Sequence, residues 1–126
     1  LHALIDKGTT LQNLGRIKLA IRSYDKALDI SPDNIDALVN KGSAFHLDKK
    51  YSDAISCYDR ALKIDKKCPM ALAYKGLSLA ELGQLKEAIA YFKNALSIDK
   101  HYDLAQISKD TAQDLLNSSN PKAKKL

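Results

Sequence analysis

The sequence predicts an all-α protein built as a short array of antiparallel helix pairs. Three observations carry that expectation. The stretch from Ala20 to Ile30 returns at 54–64 and again at 88–98, a step of 34 residues each time. Each copy holds two segments with helical apolar spacing, joined by short polar connections. A glycine recurs on the apolar face of the first segment, and an aromatic ring recurs in the second. A fixed period of this size marks a repeat array, in which each unit is too small to bury its own core and stacks on its neighbour.

The register divides the 126 residues into repeats at 1–34, 35–68 and 69–102, a capping helix at 103–117 and a flexible basic tail at 118–126. In the first helices Leu4, Gly8 and Leu11 recur as Leu38, Gly42 and Phe45, then as Leu72, Gly76 and Leu79. This i, i+4, i+7 spacing puts the glycine on the buried face rather than at a turn. Glycine inside a helix costs about 1 kcal/mol relative to alanine, so it implies a close approach. The second helices supply the matching parts: Tyr24, Tyr58 and Phe92, each flanked by alanines such as Ala20 and Ala27.

Gly15 and Gly83 follow the first helices of repeats one and three, where a left-handed residue ends a helix. Lys49 holds that slot in repeat two. Pro32 and Pro69 mark junctions between repeats, Pro69 at a first helical position that tolerates its missing N–H. Asn34 and Ser52 are expected N-caps. From Asp103 onward Ala105, Lys109, Ala112 and Leu116 continue the inward stripe, but Gln106, Asp110 and Gln113 replace the Leu, Gly and Leu/Phe slots. That polar face reads as a solubilising cap.

The net charge of +5 is concentrated at the end of the chain. Lys122, Lys124 and Lys125 have no acidic neighbour, which leaves 17 basic against 15 acidic residues in 1–121. A body so nearly balanced argues against a nucleic-acid partner. Cys57 and Cys68 form no C-x-x-C pattern, and two thiols in a lysine-rich helical chain fit a reducing, cytoplasmic setting. No apolar run is long enough for a bilayer, so no membrane partner is expected. Leu1 opens inside a helical pattern, and the chain reads as a piece of a longer protein.

Taken together, the period, the Leu…Gly…Leu/Phe face and the Ala…Tyr/Phe…Ala face resemble the tetratricopeptide repeat (TPR) family across about residues 1–117. Two departures stand out: leucine replaces the frequent tryptophan, and Lys7, Lys41, Lys75 and Lys109 fill one slot in every unit. Lysine there can lay its methylenes along the helix contact with its charge in water. The resemblance implies a right-handed superhelix of helix pairs whose first helices line a concave groove. It implies a protein-interaction scaffold that binds a peptide or helix of a partner protein, and no enzymatic activity.

In that groove the expected partner-binding residues are Ile5 and Thr9, then Asp36, Val39, Asn40 and Ser43, then Met70, Ala73, Tyr74 and Leu77. The row Ile5, Val39, Ala73 and Ile107 is apolar and is expected to form an exposed stripe for hydrophobic anchors, the alternative being that some of these residues pack inside the superhelix. His2, Asp6, Gln12, Asn13, His46, Leu47, Ala80 and Glu81 complete the lining. Family members that clamp a chaperone C-terminal carboxylate do so with Lys and Asn, then Asn, then Lys and Arg or Lys. The matching positions here are Ile5 and Thr9, Asn40, and Met70 and Tyr74. Only Asn40 agrees, and a carboxylate needs the missing cations, so no chaperone tail is expected.

His2, His46 and His101 are too scattered for a metal site, and no P-loop, nucleophile elbow or dinucleotide fingerprint occurs. No catalytic residue, metal or cofactor is therefore assigned. Two competing readings stay open. One is self-assembly by stacking of open terminal helices. The other is a helical-repeat nucleic-acid reader, which would show steep salt dependence.

Overall fold

The computed structural model describes residues 1–119. Among these residues there are seven α-helices and no strand: α1 His2–Asn13, α2 Ile17–Ile30, α3 Ile35–Leu47, α4 Tyr51–Ile64, α5 Pro69–Glu81, α6 Leu85–Ile98 and α7 Asp103–Ser119. They form three helix-pair repeats and a capping helix. The chain divides into two compact units, Leu1–Lys66 with the first two repeats and Lys67–Leu126 with the third repeat and the cap. Most of the tail expected at 118–126 lies outside the described residues; Ser118 and Ser119 belong to α7.

Within each repeat the two helices cross at a glycine. A Cβ placed on Gly8 would enter the Tyr24 ring, and one placed on Gly42 or Gly76 would lie 2.5 Å from Cε1 of Tyr58 or Phe92. No carbon can sit there, so the helix-propensity cost of glycine is outweighed by contact with a large buried ring. Tyr24, Tyr58 and Phe92 are among the most buried side chains of the chain, and Ala20, Ala27, Ala54, Ala61, Ala88 and Ala95 are fully buried around them. Each fully buried ring removes roughly 1.5–3 kcal/mol worth of apolar surface from water. This crossing is the main packing element of each repeat.

One device makes all three turns within a repeat. Gly15 donates its N–H to the Gln12 carbonyl, and Arg16 donates to that of Leu11. Lys49 and Lys50, and Gly83 and Gln84, repeat both bonds. These are Schellman ends, with φ of 80° at Gly15, 83° at Gly83 and 61° at Lys49. The residue that closes the first helix is also the N-cap of the second: Arg16, Lys50 and Gln84.

That economy corrects the expectation for Ser52. Helix α4 starts at Tyr51 with Lys50 as its N-cap, so Ser52 is already inside the helix. Its carbonyl accepts a bond from the Ser56 hydroxyl. Asn34 does cap α3, its Oδ1 accepting from the Ala37 N–H at 2.9 Å. Pro69 stands at the start of α5. In the cap, Ala105 and Ala112 are buried, while Gln106 and Gln113 face water and bond along their own helix to Asp110 and Asn117.

Candidate functional site: the faces of the first helices

Two of the four lysines of the recurring slot, Lys41 and Lys75, behave as packing predicts, while Lys7 is exposed. The Lys41 ammonium sits 2.7 Å from Asp25 Oδ1 on α2 and 5.8 Å from the Phe45 ring centre, with only 19% of its side chain exposed. Lys75 lies 4.5 Å over the Tyr91 ring. These lysines bridge from a first helix toward second-helix side chains, with stems laid along the contact.

The expected binding row behaves differently. Ile5 is 8% exposed, Val39 2% and Ala73 0%, so none of the three offers an apolar surface. Among the first helices, α1 packs on α3 and α5 on α7. The exposed stripe read from the sequence is thus largely core. Ile107, at the same repeat position on α7, has no described first helix after it and is 64% exposed.

In the N-terminal unit the surface above this row is polar. The Tyr24 hydroxyl donates to Gln12 Oε1 at 2.9 Å and lies 3.5 Å from Thr9 Oγ1. Gln12 in turn donates through Nε2 to Ser43 Oγ at 3.3 Å, linking α1 to α3. Burial pushes the Tyr24 phenol pKa above its ordinary value, against the smaller opposing effect of its bond to Thr9. Thr9 and Asp36 are exposed, and Asn40 and Ser43 half-exposed, around this network. These four expected residues are therefore accessible, although Thr9 and Ser43 are already engaged.

The C-terminal unit is built differently at the same place. A cleft of about 320 Å³ opens among α5, α6 and α7, its lining mostly apolar (Leu77, Ala80, Phe92, Ile107, Ala112 and Leu115) with Glu81, Ser108 and Thr111 as its polar members. Phe92 has no hydroxyl to satisfy, and Leu77 and Ala80 stand where α1 carries Thr9 and Gln12. Met70 is exposed and Tyr74 half-exposed. Ile107 and Leu115, both on the cap, escaped the sequence reading of the site apart from Ile107's place in the apolar row. A signal was present, since the polar Thr/Gln pair under the tyrosine becomes Leu/Ala under the phenylalanine.

Cys57 is buried at the slot of Ser23 and Tyr91, and burial pushes its thiol pKa up, which disfavours the reactive thiolate. No His/Cys/Asp/Glu group suited to a metal ion occurs among the described residues. No described helix is long and apolar enough to cross a membrane.

Two family models described as tetratricopeptide repeat match the chain, one over residues 1–67 and one over 48–103. The chain belongs to the tetratricopeptide repeat family. Solved TPR domains share its fold. The first TPR of Spaghetti (RPAP3), bound to the HSP90 peptide SRMEEVD, superposes with a TM-score of 0.84 at 24% identity, covering 90% of each chain. The first TPR domain of human RPAP3 gives 0.87 at 25% identity over 91% of each chain. The Sgt2 TPR domain from Aspergillus fumigatus gives 0.90 at 20% identity, over 95% of this chain and 81% of that one. No curated protein gives a significant match. The TPR family is one of protein-interaction modules, and the Spaghetti neighbour is itself seen with a peptide.

Proposed function

We propose that this TPR array is a non-enzymatic scaffold that binds a peptide or helix of a partner protein along the faces of its first helices, in the cytosol. The observation that carries the reading is the accessible lining of those helices: Thr9, Asp36, Asn40 and Ser43 in one unit, and Met70, Tyr74 and Leu77 in the other. Polar side chains of the first kind suit the backbone of an extended peptide, and apolar ones of the second kind suit its anchors. The neighbour's complex with an HSP90 peptide supports the peptide class. Two free thiols support a reducing compartment. Ile5, Val39 and Ala73 act as the packed support beneath the face rather than as contacts.

An affinity capture from the source cell tests this, with the wild type beside a Ser43→Arg/Tyr74→Glu double variant. Both positions are only partly buried, so the helical circular dichroism should persist. A protein retained by the wild type and lost by the variant identifies the face and the partner together. Equal recovery by both would move binding off the first helices and sink the reading.

A further inference from the structure

We infer that the cleft of the C-terminal unit is an anchor site for a basic peptide segment: it takes one aliphatic side chain, and a lysine or arginine next to that side chain pairs with Glu81. The inference rests on the reading of the first-helix faces as the peptide surface, and it adds the chemistry of the peptide.

The cleft suits an aliphatic side chain on three grounds. Its volume of about 320 Å³ exceeds what one leucine or isoleucine needs. Of its lining, Phe92, Leu77, Ala80 and Ala112 bring no polar group, Thr111 already donates its hydroxyl to the Ile107 carbonyl, and Ser108 adds one hydroxyl. Its outer wall is Ile107 and Leu115, which stand 64% and 54% exposed and gain most by being covered. The polar slots of α7, Gln106, Asp110 and Gln113, belong to the other face of that helix.

Charge selects the neighbour of that side chain. The first-helix positions that line the face carry Asp6, Asp36 and Glu81, and the same register on α7 adds Asp114. No lysine or arginine occupies any of these positions, although the chain holds 20 such residues. Lys109, the lysine of α7, fills the slot from which Lys41 reaches Asp25 on a second helix. Glu81 is exposed at the edge of the cleft. A cation placed there meets a carboxylate, and no residue lining the cleft is basic, whereas an acidic segment like the SRMEEVD bound by the Spaghetti domain would meet repulsion.

The test is a selection from a displayed library of random peptides on the immobilised chain. Enriched peptides are then titrated by fluorescence anisotropy against the wild type, Thr111→Arg, Glu81→Lys and Ser43→Arg, with SRMEEVD as the acidic probe. Thr111 and Glu81 are exposed, and circular dichroism confirms the fold of each variant. The expected consensus is an aliphatic residue beside lysine or arginine. Filling the cleft with Thr111→Arg should weaken binding about tenfold or more, the worth of one buried aliphatic side chain. Glu81→Lys should weaken it about fivefold, less at high salt. SRMEEVD should not compete.

An acidic consensus, or peptides that respond to Ser43→Arg but not to Thr111→Arg and Glu81→Lys, would overturn this inference and leave the broader groove reading standing. Peptides indifferent to all three variants, or no enrichment at all, would overturn both. A wild-type dimer in sedimentation that becomes monomeric on Ile107→Asp would mean that a second copy covers the cleft, and would also overturn the inference.

Discussion

At the helix crossing of the N-terminal repeat the buried ring carries a hydroxyl; at that of the third repeat it does not, and the surfaces above the two rings differ to match. Tyr24 must place its O–H, and Gln12, Thr9 and Ser43 form the polar patch that receives it. Phe92 makes no such demand, and Leu77, Ala80 and the exposed apolar residues of α7 form a mostly apolar cleft in place of that patch. At one recurring packing position, the presence or absence of one oxygen atom thus goes with a change in the character of the face above it. The physical reason is the cost of a buried polar group without a partner, which propagates along the sequence as a requirement on the neighbouring slots.

The largest effect that would sharpen this comparison comes from one repeat position in two settings. Val39→Glu places a charge where 2% of the side chain is exposed and should cost about 4 kcal/mol or more, enough to unfold the first unit. Ile107→Glu, at the equivalent position on the cap, should change stability by no more than about 0.5 kcal/mol. Urea unfolding of both variants measures the difference. Equal costs would mean that Ile107 is covered in solution.

Exchanging the rings tests the comparison at its centre. Phe92→Tyr should destabilise by about 1–2 kcal/mol, because its hydroxyl meets Leu77 and Ala80 rather than an acceptor. Adding Ala80→Gln should recover part of that loss by supplying the missing partner. Tyr24→Phe should cost about 1 kcal/mol, by leaving Gln12 Oε1 without its donor. If Phe92→Tyr proved neutral without Ala80→Gln, water would be satisfying the hydroxyl and the cleft would be wet.

A smaller effect separates the turns. Lys49 holds a φ of 61° where Gly15 and Gly83 hold 80° and 83°. Lys49→Gly should stabilise the chain by about 0.5 kcal/mol, strain relief being partly offset by the greater freedom of glycine in the unfolded chain. Thermal unfolding would show a small rise in Tm. A fall would mean that the lysine makes a contact worth more than its strain.

The smallest effect concerns the C-terminal unit alone. Burial, with a lesser effect from Tyr74, pushes the Tyr102 phenol up to about 12. An unfolded phenol ionises near pH 10, so above that value the unfolded chain loses a proton that the folded chain retains. This contribution to stability is complete below about pH 10 and is lost as pH rises toward 12. Tyr102→Phe should therefore flatten the alkaline fall in stability measured by denaturant titration at a series of pH values. An unchanged slope would assign the fall to other groups.

The sequence by itself determined the helices, the pairing and the turns. A 34-residue period, a glycine opposite a ring and a left-handed slot between helices are local or pairwise rules, and each can be read wherever the residue types recur. Their readability comes from short range: a glycine excludes a Cβ, and a Schellman end needs one positive φ. Ser52 does not cap α4 because the Schellman residue Lys50 already stands at the N-cap position, a double use that residue preferences alone do not reveal. Only the tertiary structure decided which side of a first helix meets water. Ile5, Val39 and Ile107 carry similar side chains at one repeat position, yet two are core and the third is surface. Periodicity reports that a residue lies on a given face of its helix. Whether that face is covered depends on what packs against it in space, which the period of a single chain does not report.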